Sequence, residues 1–312
     1  MKKILITGAS GFLGSSIVGE LIKNGYKVSA LKRSKSDLWR CADFIHNVNW
    51  IDCDNLSDVE SEIINYEPNI LIHSAWGGVK SYDRENWIEQ EKNLSFFVYL
   101  LEVSKRAGIK KIVALGSQAE YGTYKGVVDE FCPCNPNSAY GTIKLCAYTI
   151  LKSFALENEI DWYWIRLFSI FGPGEDKNWL IPSVIENLLG KKEMKLTGCD
   201  QKYDYLYLKD FTSGIMSLIN CSKSKSGVYN LSSGTSISIK EILIYLESRL
   251  SPDKKLLEIG ALPYRSNQIM HMEGNSELFF RSFNFSPIYK ISVGLEETLN
   301  YYLMQKKNDK KK

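Results

Sequence analysis

Short apolar runs alternate with amphipathic stretches along the first half of the chain. We expect buried strands at the continuous apolar segments 2–8, 26–34, 68–76, 110–117 and 161–172. Apolar residues recur at helical spacing between them, most clearly at 87–108 and 140–158. Continuously apolar strands that alternate with helices are typical of a parallel sheet covered by helices on both faces. The pattern therefore predicts an α/β fold with a doubly wound parallel sheet.

The alternation becomes less regular after Gly172, where prolines interrupt the chain. Segments 179–190 and 238–250 have the spacing of helices, and segments 193–198 and 227–233 have the composition of strands. We therefore expect a second, smaller α/β unit in the C-terminal half, carried on the first.

Composition and charge exclude several classes of protein. The 312 residues carry a formal net charge of +3, but residues 306–312 hold five lysines and one aspartate. The rest of the chain is therefore close to neutral, so we expect a solvated tail and no nucleic-acid partner. No apolar run approaches the ~20 residues that a membrane-spanning helix needs. Seven scattered cysteines without a C-x-x-C pair favour a reducing cytoplasm over a metal site or a disulfide framework.

A glycine-rich loop, TGASGFLG, joins the first predicted strand to the first helix. Its glycines are spaced G-x-x-G-x-x-G. Glycine permits a tight turn and lets backbone N–H groups approach a pyrophosphate, and the helix N-terminus adds a favourable partial charge. A tight turn without a ligand also favours glycine, but the position between strand and helix indicates dinucleotide binding. We expect the cofactor to contact Gly8, Ser10, Gly11, Phe12, Leu13 and Gly14.

The end of the second strand indicates which nicotinamide cofactor binds. An NAD(H) enzyme places a carboxylate there to hold the ribose 2′-hydroxyl. Here Lys32 and Arg33 end the strand, and the first carboxylate is Asp37. Because cations suit a 2′-phosphate, we expect NADP(H) to be favoured over NAD(H), unless these cations only solvate the strand end. Further candidate cofactor contacts are Asp52, to the adenine, and Ala75, near the nicotinamide.

Tyr140 and Lys144 lie one turn apart at the start of a predicted helix, and therefore on one helix face. A free tyrosine has a pKa of about 10, too high for proton transfer at neutral pH. A nearby ammonium favours the phenolate and lowers that pKa. Ser117 ends a strand at the carboxyl edge of the predicted sheet, where ligands bind. We expect Ser117 to hold a substrate oxygen while Tyr140 transfers a proton to it and Lys144 tunes Tyr140.

Three ordered motifs together resemble the extended short-chain dehydrogenase/reductase family, also described as NAD-dependent epimerases/dehydratases, which act mainly on nucleotide sugars. The motifs are TGASGFLG, GSQAEYG with Ser117, and YGTIK with Tyr140 and Lys144. The resemblance covers nearly the whole chain and implies a Rossmann domain with a smaller substrate domain. It implies a cofactor domain at 1–171 plus about 206–234, a nucleotide-sugar domain at 172–205 and 235–305, and a lysine-rich tail at 306–312.

The C-terminal half is similar to the CDP-abequose and CDP-paratose synthase group, through IFGPGE, GVYNLSSGTSISIKE, LLEIGALPYRSNQIM and GLEETL. The resemblance implies that Arg265 binds the pyrophosphate of the substrate. Relatives often carry an arginine that contacts the nucleotide where this chain has Tyr203, so the base and the diphosphate contacts stay open. The candidate substrate-binding residues are Trp76, Gln118, Trp179, Leu180, Lys195, Thr197, Gln201, Tyr203 and Arg265. For Trp76 burial in the core is an equal alternative, and we interpret His73 as structural.

The resemblance implies an NADPH-dependent 4-ketoreductase of a nucleotide-linked 6-deoxy or 3,6-dideoxy 4-keto-hexose, of the kind used in surface polysaccharides. Ser117 is followed by Gln118 and Ala119, which cannot serve as the acid and base that 4,6-dehydratases commonly place there. A nucleotide-sugar 4-epimerase with permanently bound NAD is the first alternative. A non-catalytic cofactor-sensing protein is the second, and the intact catalytic residues disfavour it.

The helices predicted at 87–108 and 140–158 also bear on assembly. Their apolar faces suit core packing, but members of the family often pair these helices into a four-helix dimer interface. We expect a homodimer.

Overall fold

The computed structural model describes residues 2–80, 82–265 and 268–309. Its strands include apolar runs such as Ile70–His73 and more polar runs such as His271–Gly274. The strands are β1 (Lys3–Thr7), β2 (Lys27–Lys32), β3 (Val48–Asp52), β4 (Ile70–His73), β5 (Lys111–Ser117), β6 (Gly126–Val128), β7 (Asp161–Leu167), β8 (Ser169–Phe171), β9 (Met194–Leu196), β10 (Lys202–Tyr207), β11 (Gly227–Leu231), β12 (Ser236–Ser238), β13 (Leu257–Ile259) and β14 (His271–Gly274).

Helices connect most of these strands. They are α1 (Phe12–Lys23), α2 (Leu56–Tyr66), α3 (Trp87–Arg106), α4 (Ala139–Glu157), α5 (Leu180–Leu189), α6 (Leu208–Asn220), α7 (Ile239–Leu250), α8 (Glu277–Phe283) and α9 (Ile291–Asp309). Two stretches of 3-10 helix add to them, at Trp39–Asn47 and Gln118–Glu120. Among the described residues, no helix is both long enough and apolar enough to span a membrane.

A seven-stranded parallel sheet in the order β11-β7-β5-β4-β1-β2-β3 forms the centre of the fold. One face is covered by α1, α6 and α8, whose apolar side chains form one core cluster with the strands. The other face is covered by α2, α3 and α4 in a second cluster. The predicted fold class, a doubly wound parallel sheet of Rossmann type, is confirmed.

A second sheet of five short strands lies beside the first, in the order β12-β10-β14-β6, with β8 paired to β10. A two-stranded ladder of β9 and β13 accompanies it, and α5, α7 and α9 form an apolar cluster of their own. The apolar run at 161–172 is therefore not one strand as predicted. It breaks at Phe168, because β7 pairs in the large sheet and β8 pairs with β10. The proposed domain limits stay a prediction.

The lysine-rich segment differs from the expected solvated tail. Helix α9 continues to Asp309, and the ammonium of Lys306 donates a hydrogen bond to the backbone carbonyl of Leu189 on α5. Residues 310–312 lie outside the described residues. The contact with α5 explains the difference, because a tertiary partner holds the last helical turns.

A buried ion pair links the end of β5 to β7. The Glu120 and Arg166 side chains are 0% and 3% exposed, and Arg166 Nε lies 2.8 Å from Glu120 Oε2. The other carboxylate oxygen of Glu120 accepts hydrogen bonds from the backbone N–H of Ser117 at 2.8 Å and from Trp164 Nε1 at 2.9 Å. A buried charge is tolerated when its partners satisfy it, as they do here. The pair therefore anchors Ser117 to the sheet.

We expect Glu120→Ala to lower the free energy of unfolding by roughly 3–5 kcal/mol, because Arg166 is left buried without its counter-ion. Arg106→Ala is the control, since it breaks an exposed pair with Glu60 and such pairs contribute at most about 1 kcal/mol. The double variant Glu120→Ala/Arg166→Met leaves no unpaired charge, so it should be more stable than Glu120→Ala. Urea unfolding measures all three. A loss below about 1 kcal/mol in Glu120→Ala contradicts this account.

Glu175 lies in the loop between β8 and α5 and is half-buried. One of its oxygens is buried and has no hydrogen-bond partner in the part of the chain that the structure describes. Burial, with a smaller effect from Asp176, raises the pKa of Glu175 from 4.5 to about 8. In the folded protein this side chain is therefore mostly neutral at pH 7.

Glu175→Gln should stabilise the protein increasingly as the pH rises from 4.5 to 8. Below this range the carboxyl is protonated in both the folded and the unfolded chain. Within it only the unfolded chain releases the proton, so the folded state of the unmodified protein loses stability as the pH rises. Melting temperatures measured across the range test this, with exposed Glu62→Gln on α2 as the control. A constant difference between Glu175→Gln and the unmodified protein is the contrary result.

Candidate active site

The glycine loop packs directly against the end of β4. Gly8 has φ +72°, and a Cβ built on it lies 2.6 Å from the backbone nitrogen of Ala75. A Cβ on Gly14 lies 2.1 Å from the carbonyl oxygen of Gly8, so the first turn of α1 sits on the loop backbone. Both positions therefore require glycine. Ala75, a predicted cofactor contact, is thereby placed next to the loop.

The N-terminus of α1 has the features of an anion site. Gly11 is the N-cap residue, no side chain caps the helix, and no acidic residue lies in its first turn. The first backbone N–H groups of a helix lack intrahelical partners, and the helix dipole favours negative charge there. These residues fit the pyrophosphate of a dinucleotide. Ser10 lies in the loop before Gly11, and Phe12 and Leu13 open the helix.

The end of β2 is more mixed in charge than the sequence suggested. The ammonium of Lys32 lies 3.6 Å from the carboxylate of Asp52 at the end of β3. Arg33 is exposed and forms no ion pair with a described residue. Ser34 donates hydrogen bonds from its backbone N–H and its hydroxyl to Asp54. Arg33 is therefore the cation available to a ligand, whereas Lys32 is engaged with the predicted adenine contact.

Ser117 and Tyr140 are held together by direct backbone packing. A Cβ built on Gly141, the residue after Tyr140, lies 2.4 Å from the carbonyl oxygen of Ala119, so the turn after Ser117 rests on the first turn of α4. The Ser117 hydroxyl accepts a hydrogen bond from the Ala119 N–H at 3.2 Å. The nearby Ser117 hydroxyl also lowers the pKa of Tyr140. The structure thus brings these two predicted residues together.

Lys144 lies one turn along the same helix and is 4% exposed. Its ammonium donates a hydrogen bond of 2.6 Å to the carbonyl of Leu115 and lies 3.5 Å from the centre of the Trp76 ring. Burial lowers the pKa of Lys144 from 10.5 to about 7, and the charge of Glu120 opposes this. The amino group of Lys144 is therefore only partly protonated near neutral pH.

The pKa of Tyr140 differs from the sequence expectation. Burial raises it, while Arg84 and the hydroxyl of Ser117 lower it by a smaller amount. Without a bound cofactor, the dominant effect is thus desolvation of the phenolate and not attraction by Lys144. The phenol is therefore protonated at neutral pH.

Trp76 belongs to this cluster. Its ring meets that of Tyr140 edge to face, with 6.3 Å between the centres, and its indole N–H donates to Gln90 Oε1 at 2.9 Å. His73 Nδ1 and Thr7 Oγ1 are 2.9 Å apart, and burial lowers the pKa of His73 to about 3, so the imidazole is neutral. Trp76 is thus placed as a support for Lys144, and a substrate contact stays a prediction.

Five predicted substrate residues lie around the β9–β13 ladder and β10. Lys195 pairs in register with Glu258, and the carbonyl of Thr197 accepts the N–H of Gly260. The hydroxyl of Tyr203 donates a hydrogen bond to the carbonyl of Ile269. Its hydroxyl is therefore already engaged in the structure.

Gln201 and Arg265 are the remaining two of these five predicted substrate residues. Gln201 is buried, and its Oε1 has no hydrogen-bond partner among the described residues. Arg265 is exposed and follows Tyr264, whose hydroxyl bonds to Asp200. Their roles stay predictions.

Two further predicted substrate residues, Trp179 and Leu180, lie at the start of α5. Trp179 is the N-cap residue of α5, and Leu180 is its first residue and packs on the C-terminal core. The Trp179 ring lies 5.7 Å from the guanidinium of Arg84. Gln118, directly after Ser117, is half-buried in the 3-10 turn. Trp179 is therefore connected, through Arg84, to Tyr140.

Sequence reasoning missed Glu120, Arg166 and Arg84. Charged residues inside apolar segments, as Glu120 in GSQAEYG and Arg166 in DWYWIRLF, signal a buried pair and would have identified the first two. Arg84 lies in a polar loop, where no local pattern separates it from a solvated residue.

The arrangement can hold and protonate an oxygen. Tyr140 presents a protonated phenol, Ser117 a hydroxyl, and Lys144 an ammonium, all at the carboxyl edge of the parallel sheet. The anion-binding loop at the start of α1 lies at the same edge, after β1. The geometry thus suits proton transfer to a carbonyl beside a bound dinucleotide.

Two known proteins are similar to most of this chain. The chain is 23% identical over 308 residues to the CDP-abequose synthase of Salmonella typhimurium strain LT2, covering 95% of this chain and 97% of that protein. It is 27% identical over 243 residues to the dTDP-6-deoxy-L-talose 4-dehydrogenase (NAD(+)) of Aggregatibacter actinomycetemcomitans, covering 76% and 86%.

Solved structures show the same fold. The UDP-glucose 4-epimerase of Thermotoga maritima superimposes with a TM-score of 0.88 at 21% identity, over 97% of this chain and 99% of that one. The model of the NAD dependent epimerase/dehydratase family matches residues 4–232, which include the glycine loop, Ser117, Tyr140 and Lys144. This chain belongs to the NAD-dependent epimerase/dehydratase family.

Proposed function

We propose that this protein is an NADPH-dependent reductase of the 4-keto group of a nucleotide-linked 6-deoxy or 3,6-dideoxy hexose. The observation that carries the proposal is the buried, protonated Tyr140 beside Ser117, followed by Gln118 and Ala119. A reductase requires a proton donor at this place. A dehydratase requires an additional acid and base, which glutamine and alanine do not provide.

A bound NADPH supplies the hydride to C4 of the sugar. The chain's own residues manage the accompanying proton. Ser117 donates a hydrogen bond to the C4 oxygen, and the O–H of Tyr140 transfers its proton to that oxygen as the C4–H bond forms. Lys144 stabilises the resulting phenolate, and its lowered pKa of about 7 lets it exchange protons near neutral pH.

The protonated state of Tyr140 in the absence of cofactor supports reduction over epimerisation. A 4-epimerase begins by oxidising its substrate, so its tyrosine must first act as a base. Here burial favours the protonated phenol. The similarity to a CDP-abequose synthase and to a dTDP-6-deoxy-L-talose 4-dehydrogenase supports a nucleotide-linked deoxysugar as the substrate.

The preference for NADPH is part of the same proposal. Exposed Arg33 supports it, because a guanidinium matches the geometry of a 2′-phosphate. Asp54 lies close to Ser34, however, and one relative is named as an NAD(+) enzyme. The proposed preference for NADPH therefore depends on Arg33.

The domain limits and the homodimer complete the proposal. The two-domain division is supported by the separate apolar cluster of α5, α7 and α9. Most of the apolar faces of α3 and α4 pack in the core, but Ile88 and Leu156 on these helices are 73% and 66% exposed. Single exposed apolar residues are normal on a protein surface, so the proposed homodimer rests on the resemblance to the family.

Reaction of the protein with a CDP-4-keto-3,6-dideoxyhexose or a dTDP-4-keto-6-deoxyhexose tests the function. In D2O with NADPH we expect one NADPH consumed per product and no deuterium at C3 or C5 by NMR, because Gln118 and Ala119 cannot act as a second acid and base. Tyr140→Phe should lower the rate about a hundredfold to ten thousandfold and leave NADPH affinity nearly unchanged. Lys144→Ala should impair both.

Three results contradict the proposal. Conversion without stoichiometric NADPH oxidation indicates an epimerase. Deuterium at C3 or C5 indicates proton abstraction beyond C4. A near-normal rate in Tyr140→Phe moves the proton donor to another residue.

Arg33→Ala should raise the Michaelis constant for NADPH about tenfold to a hundredfold, the worth of one charged hydrogen-bonded contact. The constant for NADH should change less than about twofold, because the adenosine ribose of NADH carries no phosphate. Lys27→Ala is the matched control, since exposed Lys27 lies at the opposite end of β2. Equal use of both cofactors by the unmodified protein contradicts the NADPH preference.

A further inference from the structure

Arg84 lies against the ring of Tyr140, although it is far from Tyr140 in the sequence. Its guanidinium carbon is 4.8 Å from the centre of the Tyr140 ring and 5.7 Å from that of the Trp179 ring. Its backbone carbonyl accepts the N–H of Tyr140 at 2.9 Å. Arg84 therefore contacts the proton donor through both its side chain and its backbone.

The loop that carries Arg84 is fixed from several directions. Arg84 Nε donates to the carbonyl of Val79 at 2.9 Å. Gln90 of α3, which is fully buried, donates its amide to the carbonyls of Gly78 and Asp83 at 2.7 Å and 3.2 Å. Such a buried, satisfied amide holds a loop in one conformation. The guanidinium is thus pre-organised over Tyr140.

The charge of Arg84 differs from that of Lys144. A guanidinium stays protonated at every pH at which the protein is folded, whereas the ammonium of Lys144 is only partly charged near pH 7. The ammonium also faces the Leu115 carbonyl and the Trp76 ring. Arg84 is therefore the permanent cation beside Tyr140, and cations favour a phenolate over a phenol.

We propose that Arg84 is a positioning residue for the proton donor, which orients the Tyr140 ring and stabilises the phenolate left after proton transfer. The inference rests on the proposed role of Tyr140. In that step the O–H bond of Tyr140 breaks and an O–H bond forms at the C4 oxygen, while the hydride of NADPH forms the C4–H bond and leaves NADP⁺. The phenolate then takes one proton from solvent, and Arg84 changes no bond.

Three variants separate charge from packing. Arg84→Met keeps an apolar stem of similar length and removes the charge. Arg84→Lys keeps the charge and removes the planar group. Arg106→Met on α3 is the matched control, since Arg106 forms an exposed pair with Glu60. Thermal melting first establishes that each variant is folded.

The first readout needs no substrate. Tyrosine labelled with ¹³C at Cζ gives an NMR signal for Tyr140, assigned by its absence in Tyr140→Phe and followed from pH 7 to pH 11 with NADP⁺ bound. At the upper end of this range Arg84→Met should show at least about threefold less phenolate at Tyr140 than the unmodified protein. Arg84→Lys should lie between them, and Arg106→Met should match the unmodified protein.

The second readout is the reaction. Arg84→Met should lower kcat about tenfold to a hundredfold, less than loss of a complete oxyanion donor, with the Michaelis constant for NADPH changed less than about twofold. Arg84→Lys should recover part of the rate. In the pH profile of kcat for each Arg84 variant, the high-pH limb should shift in the same direction as the titration of Tyr140.

The two proposals fail separately. If folded Arg84→Met titrates at Tyr140 like the unmodified protein, or if both Arg84 variants lose the same rate without a change in that titration, Arg84 is only a packing residue and the inference is overturned. If the titration shifts but no 4-keto sugar is reduced by the unmodified protein, the proposed function fails and the effect of Arg84 on Tyr140 stands.

Discussion

The buried carboxylate of Glu120 is the interaction on which the geometry of the site depends. It binds the backbone N–H of Ser117, the indole of Trp164 and the guanidinium of Arg166 at once, and it is fully buried. A charge in such a place requires all its partners, because an unpaired ion in a low-dielectric interior is costly. The end of β5 therefore has one conformation. The same contacts hold Ser117 and the turn that packs against α4 in place.

Burial then determines the protonation states around that turn. Desolvation keeps the Tyr140 phenol protonated, makes Lys144 only partly charged and leaves His73 neutral. A site with these states suits the proposed transfer of a proton to a substrate oxygen. In the proposed transfer the guanidinium of Arg84, which lies over the Tyr140 ring, supplies positive charge to the resulting phenolate.

The ends of β2 and β3, where we propose that the cofactor binds, differ from this buried site because their charges are exposed. Lys32 is paired with Asp52, and Ser34 is bonded to Asp54. A cation whose charge is already balanced attracts a phosphate less strongly than a free one. We therefore expect cofactor preference at this edge to depend on the arrangement of neighbouring strands β2 and β3, and less on Lys32 and Arg33 alone.

Local spacing by itself determined the alternation of strands and helices, the glycines at the start of α1, and the placement of Tyr140 and Lys144 on one helix face. Each of these depends on residues within about two helical turns of one another, so the linear pattern contains the information.

The tertiary structure decided the pairing of Glu120 with Arg166, 46 residues apart, the contact of Arg84 with Tyr140, and the position of Lys144 over Trp76. It also divided the apolar run at 161–172 between two sheets. These features join residues that are distant in the chain, and no local periodicity specifies such partners. They arise only when the sheet brings the ends of its strands together.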